Sequence, residues 1–66
     1  MRTGKVKWFN EMKGVGVVRD VEGGEYPVHC FGIVDDGFRT LSEGEAVEFD
    51  VTAGAASERA TRVRRY

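Results

Sequence analysis

The sequence has almost none of the residues that cross-link small proteins. Its 66 residues include a single cysteine, Cys30, and a single histidine, His29. One cysteine excludes an intrachain disulfide framework, and these two residues cannot supply a tetrahedral zinc site within one chain. We therefore expect no metal and no cofactor, and a fold that depends on a small apolar core.

Long hydrophobic runs are also missing. The first ten residues carry Arg2, Lys5 and Lys7 without an apolar run. They predict neither a signal peptide nor a membrane span, so the expected compartment is the cytoplasm and no membrane partner is expected.

The chain has no large excess of positive or of negative charge, but its charged residues are unevenly distributed along the sequence. The net charge is −1, yet residues 1–19 hold five basic residues and one acidic residue. Residues 20–58 hold ten acidic residues and one arginine, and residues 59–66 hold four arginines. The basic first segment can form a positive patch for a polyanion, and the ordinary alternative is surface charge that keeps the protein soluble.

Runs of β-branched and aromatic residues between turn signals predict five short strands. Residues 5–10 and 15–18 are expected to form a hairpin, and residues 26–31 a third strand with Pro27 at a bulge, an edge or a position that donates no ladder hydrogen bond. Val47, Phe49 and Val51 alternate with polar residues, which is typical of a half-buried strand.

The rest of the chain completes this all-β prediction. Residues 59–65 suit a closing strand, and the connection at 32–44 includes one helical turn around 32–35. Five antiparallel strands in so short a chain favour a closed barrel, because closure removes exposed sheet edges. We expect a single domain over residues 1–66.

Several motifs identify a resemblance at this point. They are GKVKWFN at 4–10, KG-x-G at 13–16, V-H at 28–29, DGF-x-x-L at 36–41 and EG-x-x-V-x-F at 43–49. Together they resemble a bacterial cold-shock protein over nearly the whole chain. The resemblance implies a five-stranded oligonucleotide-binding (OB) barrel that binds single-stranded RNA and DNA and acts as an RNA chaperone or transcription regulator.

The sequence departs from this family at four positions that carry aromatic rings in motifs resembling KGFGFI and VFVHF. Those positions here are Val15, Val17, Pro27 and Cys30. Stacking of a base on a ring contributes roughly 1–3 kcal/mol, so losing four rings predicts a weakening of about a thousandfold or more. The expected function is therefore nucleic-acid binding with weakened stacking.

The remaining candidates combine rings with basic side chains. The nucleic-acid-binding residues implied by the resemblance are Lys7, Trp8, Phe9, Lys13, His29 and Phe38. Strict alternation would put Trp8 inward beside Val6, whereas the resemblance puts it on the binding surface. Phe31 has two alternative roles, and the sequence does not choose between them: it replaces the ring lost at Cys30, or it fills the edge of the barrel.

Two other classes of function compete with nucleic-acid binding. The barrel could be a protein-interaction or dimerisation module that uses an apolar patch of Val15, Val17, Pro27 and Phe31. We expect a monomer, with a homodimer as the alternative. Catalysis by Cys30 and His29 is not expected, because no orienting group is recognisable and neighbouring strand residues normally point to opposite faces.

Overall fold

Five strands and one 3-10 turn make up the computed structural model, which describes residues 2–34, 40–53 and 58–65. The elements are β1 (Arg2–Asn10), β2 (Val15–Asp20), β3 (Glu25–His29), the 3-10 turn (Cys30–Gly32), β4 (Ala46–Ala53) and β5 (Glu58–Arg65). They close into a barrel in the order β1-β2-β3-β5-β4. The predicted five-stranded barrel is confirmed, including the closing strand.

One neighbouring pair in the barrel is parallel, and the others are antiparallel. β3 and β5 run side by side with Val28 opposite Ala60. An odd number of strands cannot alternate in direction all the way around a closed barrel, so one parallel pair is unavoidable. This pair brings the C-terminal strand next to His29, the last residue of β3.

The barrel interior is filled mainly by valines around one phenylalanine. Val47 and Phe49 are buried as the alternation in β4 predicts, and Val51 is half-buried against them. The buried apolar residues are Val6, Val18, Val28, Ile33, Leu41, Val47, Phe49, Ala60 and Val63.

A bulge in β1 overturns the strict alternation expected around Trp8. Val6 lies opposite Val18, but Trp8 lies opposite Val17, so the register shifts between Val6 and Trp8. The extra residue, Lys7, reverses the facing of the residues that follow it. Trp8 consequently points outward and is 42% exposed.

The third strand is shorter than predicted, and the helical turn begins earlier. β3 ends at His29, and the turn occupies Cys30–Gly32 rather than residues 32–35. The imidazole of His29 caps this turn, because its Nδ1 accepts a hydrogen bond from the backbone N–H of Phe31 at 3.2 Å. The Ile33 N–H then donates to the Cys30 carbonyl at 3.2 Å.

Three of the four C-terminal arginines lie beside acidic residues of their own chain. The ion pairs are Arg62–Asp50 at 3.8 Å, Arg64–Glu48 at 4.0 Å and Arg65–Glu45 at 2.8 Å. Each pair is partly exposed, so its contribution to stability is small. Their main consequence is that the acidic middle of the chain neutralises this basic segment.

A buried carboxylate organises the β2–β3 hairpin. Asp20 is 4% exposed and accepts hydrogen bonds from the Glu22 N–H at 2.8 Å and from Arg2 Nη1 at 3.1 Å. These two donors, the Glu22 N–H foremost, hold the pKa of Asp20 below its ordinary value. A lowered carboxyl pKa stabilises the fold above the unfolded-state pKa, and that stabilisation is lost as the pH falls.

Asp20→Asn should therefore lower the melting temperature at neutral pH, and the deficit should shrink as the pH falls below about 5. The variant keeps the oxygen that accepts from Glu22 but loses the charge that faces Arg2. Thermal unfolding followed by circular dichroism across this pH range measures the effect. Glu22→Gln, at an exposed neighbour, is the control, and a constant deficit for Asp20→Asn at every pH would contradict the assignment.

Candidate nucleic-acid interface

The outward residues of three neighbouring strands form one continuous surface. Across the ladder, Trp8 lies opposite Val17, and Val17 lies opposite Pro27. Directly paired residues share a face of the sheet. A second row places Val15 opposite His29. We call this set, Trp8, Val15, Val17, Pro27 and His29, the β1–β3 surface.

The β1–β3 surface is apolar but offers few flat rings. Trp8 presents an exposed indole at one end and His29 an exposed imidazole at the other. Between them Val17 is half-buried and Pro27 is exposed. Methyl groups and a pyrrolidine ring provide apolar contact without the π face on which bases stack.

Phe9 lies on the core side of β1 rather than on the β1–β3 surface. It is half-buried, packs against the core and is paired with Gly16. A side chain at Gly16 would overlap the Phe9 ring and the Trp8 carbonyl. The glycine in the KG-x-G motif therefore makes room for Phe9, and the structure does not bring Phe9 together with Trp8.

The structure brings Phe31 beside His29 and leaves it outside the barrel. The two rings stack at 4.9 Å between centroids with an interplanar angle of 25°. Phe31 is 77% exposed. Of the two alternatives, filling the edge of the barrel is therefore wrong, and the stacked pair adds a second ring to this end of the surface.

Cys30 and His29 lie closer together than strand geometry predicts. Cys30 Sγ lies 3.7 Å from His29 Nδ1, because Cys30 begins the 3-10 turn instead of continuing β3. The expectation that their side chains point to opposite faces is wrong for this reason. The Nδ1 atom already accepts the Phe31 N–H, and the described residues contain no cluster of three potential metal ligands.

Lys7 and Arg19 share one carboxylate at the edge of the β1–β3 surface. Glu25 lies 3.1 Å from Lys7 Nζ and 2.8 Å from Arg19 Nη2. Their hydrogen bonds, that of Lys7 first, hold the pKa of Glu25 below its ordinary value. Glu25 therefore competes with phosphate for Lys7, a competition that the sequence pattern did not predict.

Lys13 and Phe38 complete the predicted set. Lys13 lies exposed in the β1–β2 turn, where its backbone N–H donates to Asn10 Oδ1 at 3.1 Å. The same turn touches the 3-10 turn, because the Cys30 N–H donates to the Gly14 carbonyl at 2.8 Å. Phe38 lies outside the described residues.

Arg59 is a basic residue that sequence reasoning counted only in the C-terminal charge. Together with His29 it lines a cleft of about 240 Å³ beside the β1–β3 surface. The parallel pairing of β5 with β3 puts it there. Strand signals do not reveal such a long-range pairing, so only the positive charge could have pointed to this residue.

Comparison with known proteins defines the class of this barrel. Residues 2–66 match the model of the 'Cold-shock' DNA-binding domain. The chain belongs to this family and is a nucleic-acid-binding protein of cold-shock type. Among the described residues, no helix is long and apolar enough to cross a membrane.

Similar proteins come from several bacteria. The "Cold shock-like protein CspA" of Stigmatella aurantiaca is 52% identical over 66 residues, covering 97% of this chain and 96% of that protein. The "Cold shock-like protein CspD" of Bacillus cereus is 50% identical, with 96% of each chain covered. A "Cold shock-like protein" of Thermotoga maritima is 44% identical, with 92% of each covered.

Glu25→Gln should strengthen nucleic-acid binding. The change removes the carboxylate that holds Lys7 and Arg19, so both cations become available to phosphate. If both are used, the slope of log affinity against log salt should steepen by up to about 1.4, at about 0.7 per phosphate. A fluorescence titration of Trp8 with single-stranded oligonucleotide at two salt concentrations measures the slope.

The matched control for this experiment is Glu22→Gln, which makes the same change of charge at the tip of the β2–β3 hairpin. Glu22 has no ion pair with a basic side chain in the described part of the chain. If both variants change the slope equally, net charge alone accounts for the effect and the competition at Glu25 is refuted.

Proposed function

We propose that this protein binds single-stranded RNA and DNA weakly and with little sequence preference, as a cytoplasmic RNA chaperone or transcription regulator. The observation that carries this proposal is the exposed Trp8 indole at the end of the β1–β3 surface, on the residue that follows the exposed Lys7 in β1. An outward tryptophan with a lysine nearby in the chain suits the binding of single-stranded nucleic acid, because the flat indole ring can stack on any base.

In this proposal, electrostatic attraction to phosphates and stacking on bases come from different residues. Lys7 and Lys13 attract the phosphates and steer the strand onto the surface. Trp8 and His29 stack on unpaired bases, and Phe38 is expected to add a ring from the long loop. Phe9, on the core-facing side of the same strand as Trp8, contributes by packing against the core. No bond is made or broken, so a strand is held only transiently in its unpaired form.

Weak affinity follows from the middle of the β1–β3 surface. Val17 and Pro27 separate the two exposed rings, so bases that cross this part meet no π face. Each missing stacking contact removes roughly 1–3 kcal/mol of binding free energy. Few base-specific donors or acceptors line this surface, which supports low sequence preference.

A second candidate function uses the same apolar residues. Val15, Val17, Pro27 and the exposed Phe31 could form a contact patch for a second copy of the chain. Concentration-dependent mass in light scattering, together with unchanged Trp8 emission on adding oligonucleotide, would favour this dimerisation module over nucleic-acid binding.

The direct test is a Trp8 fluorescence titration with oligo-dT and with matching duplex DNA at about 50 mM and about 200 mM salt. We expect saturable quenching by the single strand and none by the duplex. With three or four phosphates neutralised, the log-log salt slope should lie near about −2 to −3. Absence of quenching at micromolar protein would refute the proposal.

Val17→Phe should increase affinity for single strands. The new ring would lie directly between Trp8 and Pro27 on the β1–β3 surface and supply one stacking position, which is worth about 5- to 150-fold in affinity. Titration against oligo-dT measures the gain. Val21→Phe is the matched control, because Val21 is 76% exposed at the hairpin tip and away from the surface. Equal gains in both variants would mean that ring number alone raises affinity.

A further inference from the structure

The β1–β3 surface ends at His29, and a further cleft lies beyond it. A second cleft, of about 480 Å³, opens between the 3-10 turn and β5. Its lining residues are His29, Phe31, Gly32, Arg59, Ala60 and Thr61. It shares His29 and Arg59 with the smaller cleft beside Val15 and Pro27. The two clefts therefore adjoin at His29 and Arg59, one on the side of β2 and the other on the side of β5.

Arg59 differs from most basic residues of the molecule in its ionic partners. Lys7 and Arg19 share Glu25, and the arginines at 2, 62, 64 and 65 each face a carboxylate. Within the described ranges, Arg59 has no ion-pair partner, as is also true of Lys5 and Lys13. An anion can therefore bind Arg59 without displacing a carboxylate.

The chemistry of the second cleft suits a nucleotide. A guanidinium presents a fork of donors that matches phosphate oxygens. The stacked rings of His29 and Phe31 form the wall of the second cleft and provide an apolar flat surface for a base. One cleft therefore combines a ring wall with a guanidinium that has no ion-pair partner among the described residues, and these are the two elements that suit a nucleotide of a single strand.

We propose that a bound single strand continues past His29 into the second cleft, where Arg59 binds a phosphate and the His29–Phe31 pair stacks a base. This inference rests on the proposed function and extends it to β5. It gives Phe31 a role that partly offsets the ring missing at Cys30.

The path has a length that can be tested. Trp8 on β1 and Arg59 on β5 are separated by three strand spacings, which is about 14 Å at about 4.8 Å each. A strand held at Trp8 reaches Arg59 only when it is long enough to cross β2 and β3. Arg59 should therefore matter for a long oligonucleotide and hardly at all for a short one.

The experiment compares Arg59→Gln with Arg62→Gln, using Trp8 quenching by oligo-dT of about two and about twelve nucleotides. Arg62 lies on the same strand and faces Asp50, so it is the matched control. For the long oligonucleotide, Arg59→Gln should weaken binding about 5- to 10-fold and reduce the salt slope by about 0.7. Arg62→Gln should leave both unchanged, and Arg59→Lys should retain the slope.

The outcomes separate this inference from the function on which it rests. If the unmodified protein does not bind oligo-dT at all, both fail. If it binds and Arg59→Gln behaves like Arg62→Gln, the extended path is wrong and nucleic-acid binding stands. A loss that is equal for short and long oligonucleotides, or displacement of oligo-dT by polyglutamate as readily as by a second strand, would also overturn the path.

Discussion

The bulge at Lys7 is the constraint on which the rest of the molecule depends. It lets one strand place Val6 in the core, Trp8 on the outside and Phe9 back against the core within four residues. Gly16 on the neighbouring strand accommodates this arrangement by leaving space for Phe9. In a regular strand Trp8 would face the same side as Val6. Its indole would then enter the core and disturb the barrel packing, and the binding surface would lose its outward ring. Core and binding surface are therefore coupled through one extra residue.

Electrostatics in this barrel is a competition between the chain's own carboxylates and any polyanion. Ten acidic residues between positions 20 and 58 lie between basic segments in the sequence. In the described part of the chain, five of them form ion pairs with basic side chains, namely Asp20, Glu25, Glu45, Glu48 and Asp50. A phosphate that approaches Lys7 must displace Glu25, which Arg19 also holds. Such exposed pairs contribute little to folding but set the number of cations available for binding.

Short-range patterns predicted the elements of this fold, and long-range geometry determined the site. The alternation at Val47 and Phe49, the hairpin around residues 11–14 and the closing strand were all readable, because strand periodicity and turn residues act locally. The bulge at Lys7, the 3-10 turn and the approach of Arg59 to His29 were not readable. They depend on register and on the parallel β3–β5 pair, which follow from closing the whole barrel.

The β1–β3 surface and the core occupy opposite faces of the same strands. Valines at 15 and 17 are good strand formers, and their side chains lie on the face opposite the core, so replacing rings there leaves the packing around Phe49 intact. Base stacking, in contrast, depends on outward rings, which on this surface are those of Trp8 and His29. The inward residues therefore hold the fold together, and the outward ones form the surface that is available for binding. Because the inward and outward side chains lie on the same strands but pack on opposite faces of the sheet, one set can vary with little effect on the other.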